Sequence, residues 1–366
     1  MRAALALAAL VAALFASAPP GATAAQSSRQ PDLDARAWAL IEARSGRLLA
    51  AHNAGRRLPV ASATKLMTAH VALRSLPPGR IVTMAPYPAL SVESLLGVPA
   101  GEPVSVRDLL YGLILRSGND AAHTLAVRSA GSLPRFVRRM NRSAAALGLS
   151  DSRFANPVGL DEPGSYSSAY DLTALARRLL RVPLFRRIAD SRRAVLRSQR
   201  PPREIETVND LLLAEPWATG VKTGRTVGAD YVLVGSARRK GLELISAVLG
   251  APSEAARDAG TVKLLEYGFV RVRRLRQARR AALLRRAAAR RRAREEKSAV
   301  DRVRSFVAGN PIPLGVAACV ILVGVLLPWR RARRPRQGSD ARGASREERR
   351  MVREQSRRER NGEADR

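Results

Sequence analysis

The chain has 366 residues, with 64 Lys or Arg against 31 Asp or Glu, for a formal charge of +33. Such an excess invites a nucleic-acid reading, but the charge is concentrated in two stretches near the C-terminus and only 4% of residues are aromatic, so no nucleic-acid partner is expected. The single cysteine, Cys319, excludes an intrachain disulfide and leaves stability to a packed core.

In chain order, residues 1–25 read as a secretory signal peptide: Arg2 is the charged start, 3–16 the apolar core, and Ala22-Thr23-Ala24 a small-residue cleavage site. A short linker, 26–35, leads to a domain expected over 36–270. Ala37–Glu42 and 48–51 read as the strands of a hairpin turning at Ser45-Gly46. A helix carrying Ser62 follows Pro59. After a section punctuated by Pro and Gly to Glu102, Val106–Leu115 has helical apolar spacing and stops at Ser117-Gly118-Asn119, where Asp120 opens another helix to about Ser129.

Further helices are expected between Phe136 and Leu180, around a loop over 156–164. Beyond Asn209 the period becomes two. Segments 220–226, 231–236 and 242–249 predict a meander, and 254–269 a closing helix. Strands at both ends with helices between them predict one α+β domain, its antiparallel sheet built from both chain ends.

The remainder is different in kind. Residues 271–310 form a basic, Arg/Ala-rich helical juxtamembrane segment without strand pattern. Residues 311–329 are an apolar run of bilayer-spanning length with Trp329 at its edge, which predicts a transmembrane helix. Arg330, Arg331, Arg333, Arg334 and Arg336 follow at once and place the C-terminus in the cytoplasm by the positive-inside rule. Residues 330–366 read as a disordered basic tail. The expectation is a single-pass membrane protein with its domain on the extracytoplasmic side. For the basic segment, anionic lipid headgroups or anionic wall polymers are the expected partners, with a plain solvated spacer as the alternative.

The chemistry starts at Ser62-x-x-Lys65. Residues three apart on a helix share a face, so the hydroxyl can meet the amine. A serine hydroxyl is a weak nucleophile until a base takes its proton, and a lysine in a desolvated pocket can serve as that base. Lysine stands at only five positions, 65, 222, 240, 263 and 297, in a chain whose default cation is arginine. Arginine cannot act as a base near neutral pH, so a lysine at 65 points to chemistry.

Ser62-x-x-Lys65, Ser117-Gly118-Asn119 and Lys222-Thr223-Gly224 occur in the order shown by penicillin-binding proteins and class A β-lactamases. The chain resembles in particular the serine-type D-alanyl-D-alanine carboxypeptidases, the low-molecular-mass penicillin-binding proteins, whose middle motif is Ser-Gly-Asn. The resemblance extends through Asn156-Pro157-x-Gly159-Leu160-Asp161 and Tyr166-Ser167-Ser168-Ala169-x-Asp171 and covers about 36–270.

It implies a β-lactamase/transpeptidase-like fold, peptidoglycan stem peptides as substrate and β-lactams as covalent inhibitors. Ser62 would attack the carbonyl of the penultimate D-alanine, with Lys65 as general base, to form an acyl-enzyme. Ser117 would return a proton to the leaving D-alanine, and Asn119 would orient the substrate amide. Lys222 and Thr223 would hold the terminal carboxylate, Gly224 would leave strand for substrate to lie against, and the backbone N–H groups of Ser62 and Arg225 would form the oxyanion hole. The same residues would serve an endopeptidase or transpeptidase on the same peptides, or a catalytically idle penicillin-binding protein of the wall.

His52, His70 and His123 are scattered, and neither a metal nor another cofactor is expected. Arg225 and Asp230 depart from the family's usual His and Gly, which bears on the pocket rim. No Glu-x-x-x-Asn element follows Asn156, so the penicillin acyl-enzyme should be long-lived. The small β-rich domain that commonly follows in the family is expected to be missing.

Overall fold

A computed structural model describes residues 30–309; the expected signal peptide, transmembrane helix and tail lie outside that range. β1 (Ala37–Glu42) and β2 (Leu48–His52) form the expected hairpin, with Ala39 opposite Ala51. The far edge of β1 pairs antiparallel with β9 (Leu242–Ala251), β9 with β8 (Asp230–Arg239), and β8 with β7 (Ala218–Thr226). The sheet order is therefore β2-β1-β9-β8-β7, built from both ends of the domain, with β7 at one edge.

Alternation along the strands explains why both faces are covered. Ala37, Ala39 and Ile41 of β1 and Ile245, Ala247 and Leu249 of β9 enter the main core, while Trp38, Leu40, Leu244 and Val248 enter a second one. The main core is closed by α1 (Lys65–Ser75), α2 (Val106–Leu115), α3 (Asn119–Ala130), α4 (Leu133–Ala146), α5 (Ala169–Leu179) and α6 (Pro183–Ala189). The second core takes Leu211 and Leu212 of α7 (Asp210–Ala214) and Leu264, Leu265, Phe269 and Val272 of α8 (Glu254–Gly309).

Three features differ from the sequence expectation. Two small hairpins, β3 (Ile81–Thr83) with β4 (Pro103–Ser105) and β5 (Arg193–Leu196) with β6 (Arg203–Glu206), are made of strands too short to show a period. The Ser62 segment opens with a tight 3-10 turn, Ala61–Thr64, before α1 begins at Lys65. The closing helix and the helical segment expected over 271–310 are one continuous helix, which runs to Gly309 without a break near residue 269.

Its continuation has a simple cause: no Gly or Pro stands between Gly268 and Gly309, and Ala and Arg are strong helix formers. The chain divides into two compact units after Ala278. In the second, the helix is exposed at each described side chain and carries an Arg291–Glu295 pair one turn apart. Among the described residues no helix is long and apolar enough to cross a membrane.

Candidate active site

Ser62 owes its position to its neighbours' backbone. Ala61 takes a left-handed φ of 47°, unusual for a residue with a Cβ, and turns the chain abruptly into the 3-10 turn. In 3-10 geometry residues i and i+3 eclipse, which stacks Ser62 over Lys65 and brings Nζ to 2.7 Å from the Ser62 Oγ. Two glycines let other segments close on this turn. A Cβ on Gly159 (φ 89°) would lie 2.0 Å from the Ala61 carbonyl oxygen, and one on Gly224 would lie 2.8 Å from the Ser62 nitrogen. The space that Gly224 leaves is thus occupied by the backbone of Ser62 itself.

Lys65 is fully buried. Besides Ser62, its Nζ meets the Asn119 Oδ1 at 2.6 Å and the Val158 carbonyl oxygen at 2.7 Å. Burial, followed by the nearby Lys222 charge, pushes its pKa well below 10.5, against smaller opposing effects of Glu93 and Asp120. A neutral amine has two N–H groups and one lone pair. The two carbonyl acceptors take the N–H groups, and the lone pair is left facing the Ser62 hydroxyl. That is the arrangement a general base needs.

Asn119 is the first residue of α3, two residues after Ser117, which is buried and holds a left-handed φ of 57°. Two strained non-glycine residues, Ala61 and Ser117, flanking one constellation fit the tendency of backbone strain to gather at functional sites. The Asn119 Nδ2 donates to Glu93 Oε2 at 2.6 Å, and the Tyr87 hydroxyl donates to the same oxygen. Glu93 was not anticipated from the sequence: it lies in an irregular segment without period or motif, and only tertiary packing brings it to Asn119.

Lys222 is also buried. Its Nζ donates to the Thr223 carbonyl oxygen at 2.6 Å, and burial, with a smaller contribution from Arg257, lowers its pKa to about 7. Thr223 is buried, while the Arg225 guanidinium is outside, 5.2 Å from the centre of the Tyr231 ring. Asp230, the second departure from the family pattern, pairs with Arg36 at 3.1 Å. Because β7 is an edge strand, its outer edge can take an extended peptide as an added strand.

The remaining motifs build the walls. Asn156 Oδ1 accepts from the Val158 and Gly159 nitrogens, which turns the Val158 carbonyl toward Lys65. The Pro157 carbonyl accepts from Thr68 at 2.6 Å. Asp161 ties the loop to the β7–β8 connection through Thr226 Oγ1 and the Gly228 nitrogen. Ser168 caps α5 by accepting from the Asp171 nitrogen, and Asp171 in turn accepts from Ser152 and the Asp151 nitrogen. His123 packs its ring against Tyr87, and His70 is driven to about 4 by burial and by Arg74 and Arg178. Among the described residues no group of His, Cys, Asp and Glu could hold a metal ion.

A Ser-x-x-Lys pair between a sheet edge and a helical layer, its lysine buried and its serine partly exposed, defines a serine acyl-transfer enzyme of the penicillin-binding, transpeptidase-like α+β class. Residues 24–253 match the family model described as D-alanyl-D-alanine carboxypeptidase, and the chain belongs to that family of serine-type peptidases. It is 39% identical over 280 residues to the D-alanyl-D-alanine carboxypeptidase DacC of Escherichia coli (strain K12), covering 72% of this chain and 68% of that one. With DacF of Bacillus subtilis (strain 168) it shares 34% over 242 residues, 64% of this chain and 62% of the relative. The crystal structure of the Streptomyces K15 DD-transpeptidase superposes with a TM-score of 0.62 at 30% identity, covering 66% of this chain and 99% of that one.

Proposed function

We propose that this enzyme removes the terminal D-alanine from peptidoglycan stem pentapeptides through an acyl-enzyme at Ser62. The observation that carries the reading is the environment of Lys65, a buried amine with two carbonyl acceptors and one serine hydroxyl within 2.7 Å. Lys65 takes the hydroxyl proton as Ser62 Oγ bonds to the penultimate D-alanine carbonyl carbon. The backbone N–H groups of Ser62 and Arg225 receive the oxyanion. The C–N bond then breaks, Ser117 passes a proton to the leaving amine, and water releases the shortened peptide. Asn119 is assigned to the substrate amide, and Lys222 with Thr223 to the terminal carboxylate. β-Lactams, which mimic the scissile amide, acylate the same serine.

Incubation of the protein with a D-Ala-D-Ala-terminated pentapeptide, read by mass, tests this. Loss of one alanine in wild type and none in Ser62→Ala is expected; an intact substrate in both would overturn the reading. Transpeptidation of the same peptides is a second reading, favoured by the likeness to the Streptomyces DD-transpeptidase. Both share the acyl-enzyme and differ in whether water or an amine accepts the acyl group. Adding an amino acid acceptor to the same assay separates them by product mass.

We also propose that the enzyme works on the outer side of the cell membrane, held by one C-terminal span over 311–329. This rests on the apolar run and the arginines on both sides of it. The arginines of 271–304 would draw that segment to anionic lipid. Sedimentation of a fragment ending at residue 309 with anionic vesicles, lost as salt rises, is the expected result; no binding at low salt would leave the segment a spacer.

A further inference from the structure

The Asn119 amide is chemically ambiguous until something orients it. Rotated by half a turn it would present Nδ2 rather than Oδ1 to Lys65, and an N–H aimed at a neutral amine would occupy the lone pair that Ser62 needs. Lys65 itself does not select the orientation, since an amine both donates and accepts. The group on the far side of Asn119 does. A carboxylate only accepts hydrogen bonds, and Glu93 Oε2 lies 2.6 Å from the Asn119 Nδ2.

We propose that Glu93 is a positioning residue of the acyl-transfer site, locking the Asn119 amide with its oxygen toward Lys65 and so reserving the Lys65 lone pair for Ser62. The proposal rests on Lys65 as base, and the segment carrying Glu93 is built to hold it. Its Oε1 accepts from the Leu90 nitrogen at 3.3 Å and its Oε2 also accepts from Tyr87. Just after Glu93 the segment is clipped to the start of α3. The Asn119 nitrogen donates to the Ser94 carbonyl oxygen at 2.8 Å, and Asp120 accepts from the Leu96 and Gly97 nitrogens at 2.7 and 2.8 Å. Glu93 and Asn119 are thus fixed to each other by backbone as well as by side chains.

The charge state agrees. Burial alone would raise the Glu93 pKa, but hydrogen bonds from Tyr87 and Asn119 outweigh it and hold the carboxyl below its usual range, so it is ionised at neutral pH. The titratable groups around Lys65 are Glu93 and Tyr87 from this segment, Asp120 from α3 and Lys222 from β7. Glu93 is not itself the base: Oε2 already accepts two hydrogen bonds, and its link to Ser62 runs through Asn119 and Lys65.

The test is a double-mutant cycle on the rate of acylation by a fluorescent penicillin, using wild type, Glu93→Gln, Asn119→Ala and the double variant over a pH series. Glutamine keeps the shape but can both accept and donate, so the lock is lost. A roughly tenfold slower acylation is expected for Glu93→Gln, and the double variant should be no slower than Asn119→Ala alone. The rising limb of the pH profile should move to lower pH, because the charge that favours the Lys65 ammonium has gone.

A Glu93→Gln enzyme with the wild-type rate and profile overturns the proposal. So do multiplicative effects in the double variant. Failure of the underlying reading has a separate signature: wild type that is not acylated, or Ser62→Ala that is.

Discussion

Gly159 and Ala61 stand so close that a single added carbon on Gly159 would fall 2.0 Å from the Ala61 carbonyl oxygen. The loop that directs the Val158 carbonyl to Lys65 therefore closes directly on the backbone that presents Ser62. Gly159→Ala would meet both this collision and a φ of 89° that L-residues avoid. A stability loss of about 1–3 kcal/mol is expected, read by urea denaturation, together with strongly reduced penicillin labelling. A variant that labels at the wild-type rate would show that the loop can retreat without disturbing the nucleophile.

Ser62→Ala should abolish covalent labelling by a fluorescent penicillin, and Lys65→Arg should slow it by roughly 100-fold or more, because a guanidinium keeps its proton at working pH. Label persisting on Ser62→Ala would remove Ser62 as nucleophile, and an active Lys65→Arg enzyme would remove Lys65 as base.

The pH dependence of acylation follows from the sign of the Lys65 shift. Acylation needs the neutral amine, so the rate rises with pH through the folded-state pKa and then levels. Burial lowers that pKa well below 10.5, which places the plateau far below the range of an ordinary lysine. Stopped-flow acylation against pH checks this; a rate still climbing at about pH 10 would mean an unshifted lysine.

Burying Lys222 costs stability, and the sign can be worked out. Its pKa falls from 10.5 to about 7 on folding, so between those values the unfolded chain binds the extra proton and the fold gains stability as pH rises. Below about 7 the penalty is fully present, on the order of 5 kcal/mol. Lys222→Met should therefore be inactive yet more stable than wild type at neutral pH, with the gap narrowing toward pH 10. Urea denaturation of both proteins at the two pH values decides it; a Lys222→Met protein less stable at neutral pH would show that the bond to the Thr223 carbonyl outweighs desolvation.

Recognition of a free chain end makes the last prediction. If Lys222 and Thr223 hold the terminal carboxylate, amidating the terminal D-alanine should reduce kcat/KM by roughly 10- to 100-fold, the size of one lost charge-assisted hydrogen bond. Equal kcat/KM on free-acid and amidated peptides would instead favour cleavage within a chain.

Sequence alone settled whatever depends on local pattern. The β1–β2 hairpin, the helix Val106–Leu115, the stop at Ser117-Gly118-Asn119 and the three-strand meander were legible because apolar period and turn residues are short-range signals. The motif order and the scarcity of lysine likewise mark Ser62, Lys65 and Lys222 in the sequence itself. The short hairpins were not legible, since three or four residues carry no period.

Tertiary structure alone decided which side chains share a hydrogen-bond network and what each spare volume contains. The sequence offered Gly224 as bare strand for substrate to lie against, and the fold adds a second reason for glycine there, since a Cβ would lie 2.8 Å from the Ser62 nitrogen. Asn156 and Asp161 belonged to a motif, but only the folded loop shows them turning a carbonyl onto Lys65 and tying the loop to β7. Glu93 had no signal at all, because its partner Asn119 is reached through packing of an irregular segment against the start of α3. Protonation was equally hidden: burial is the largest cause of the shifts at Lys65 and Lys222, and desolvation is a property of the assembled core, with no counterpart in the order of residues along the chain.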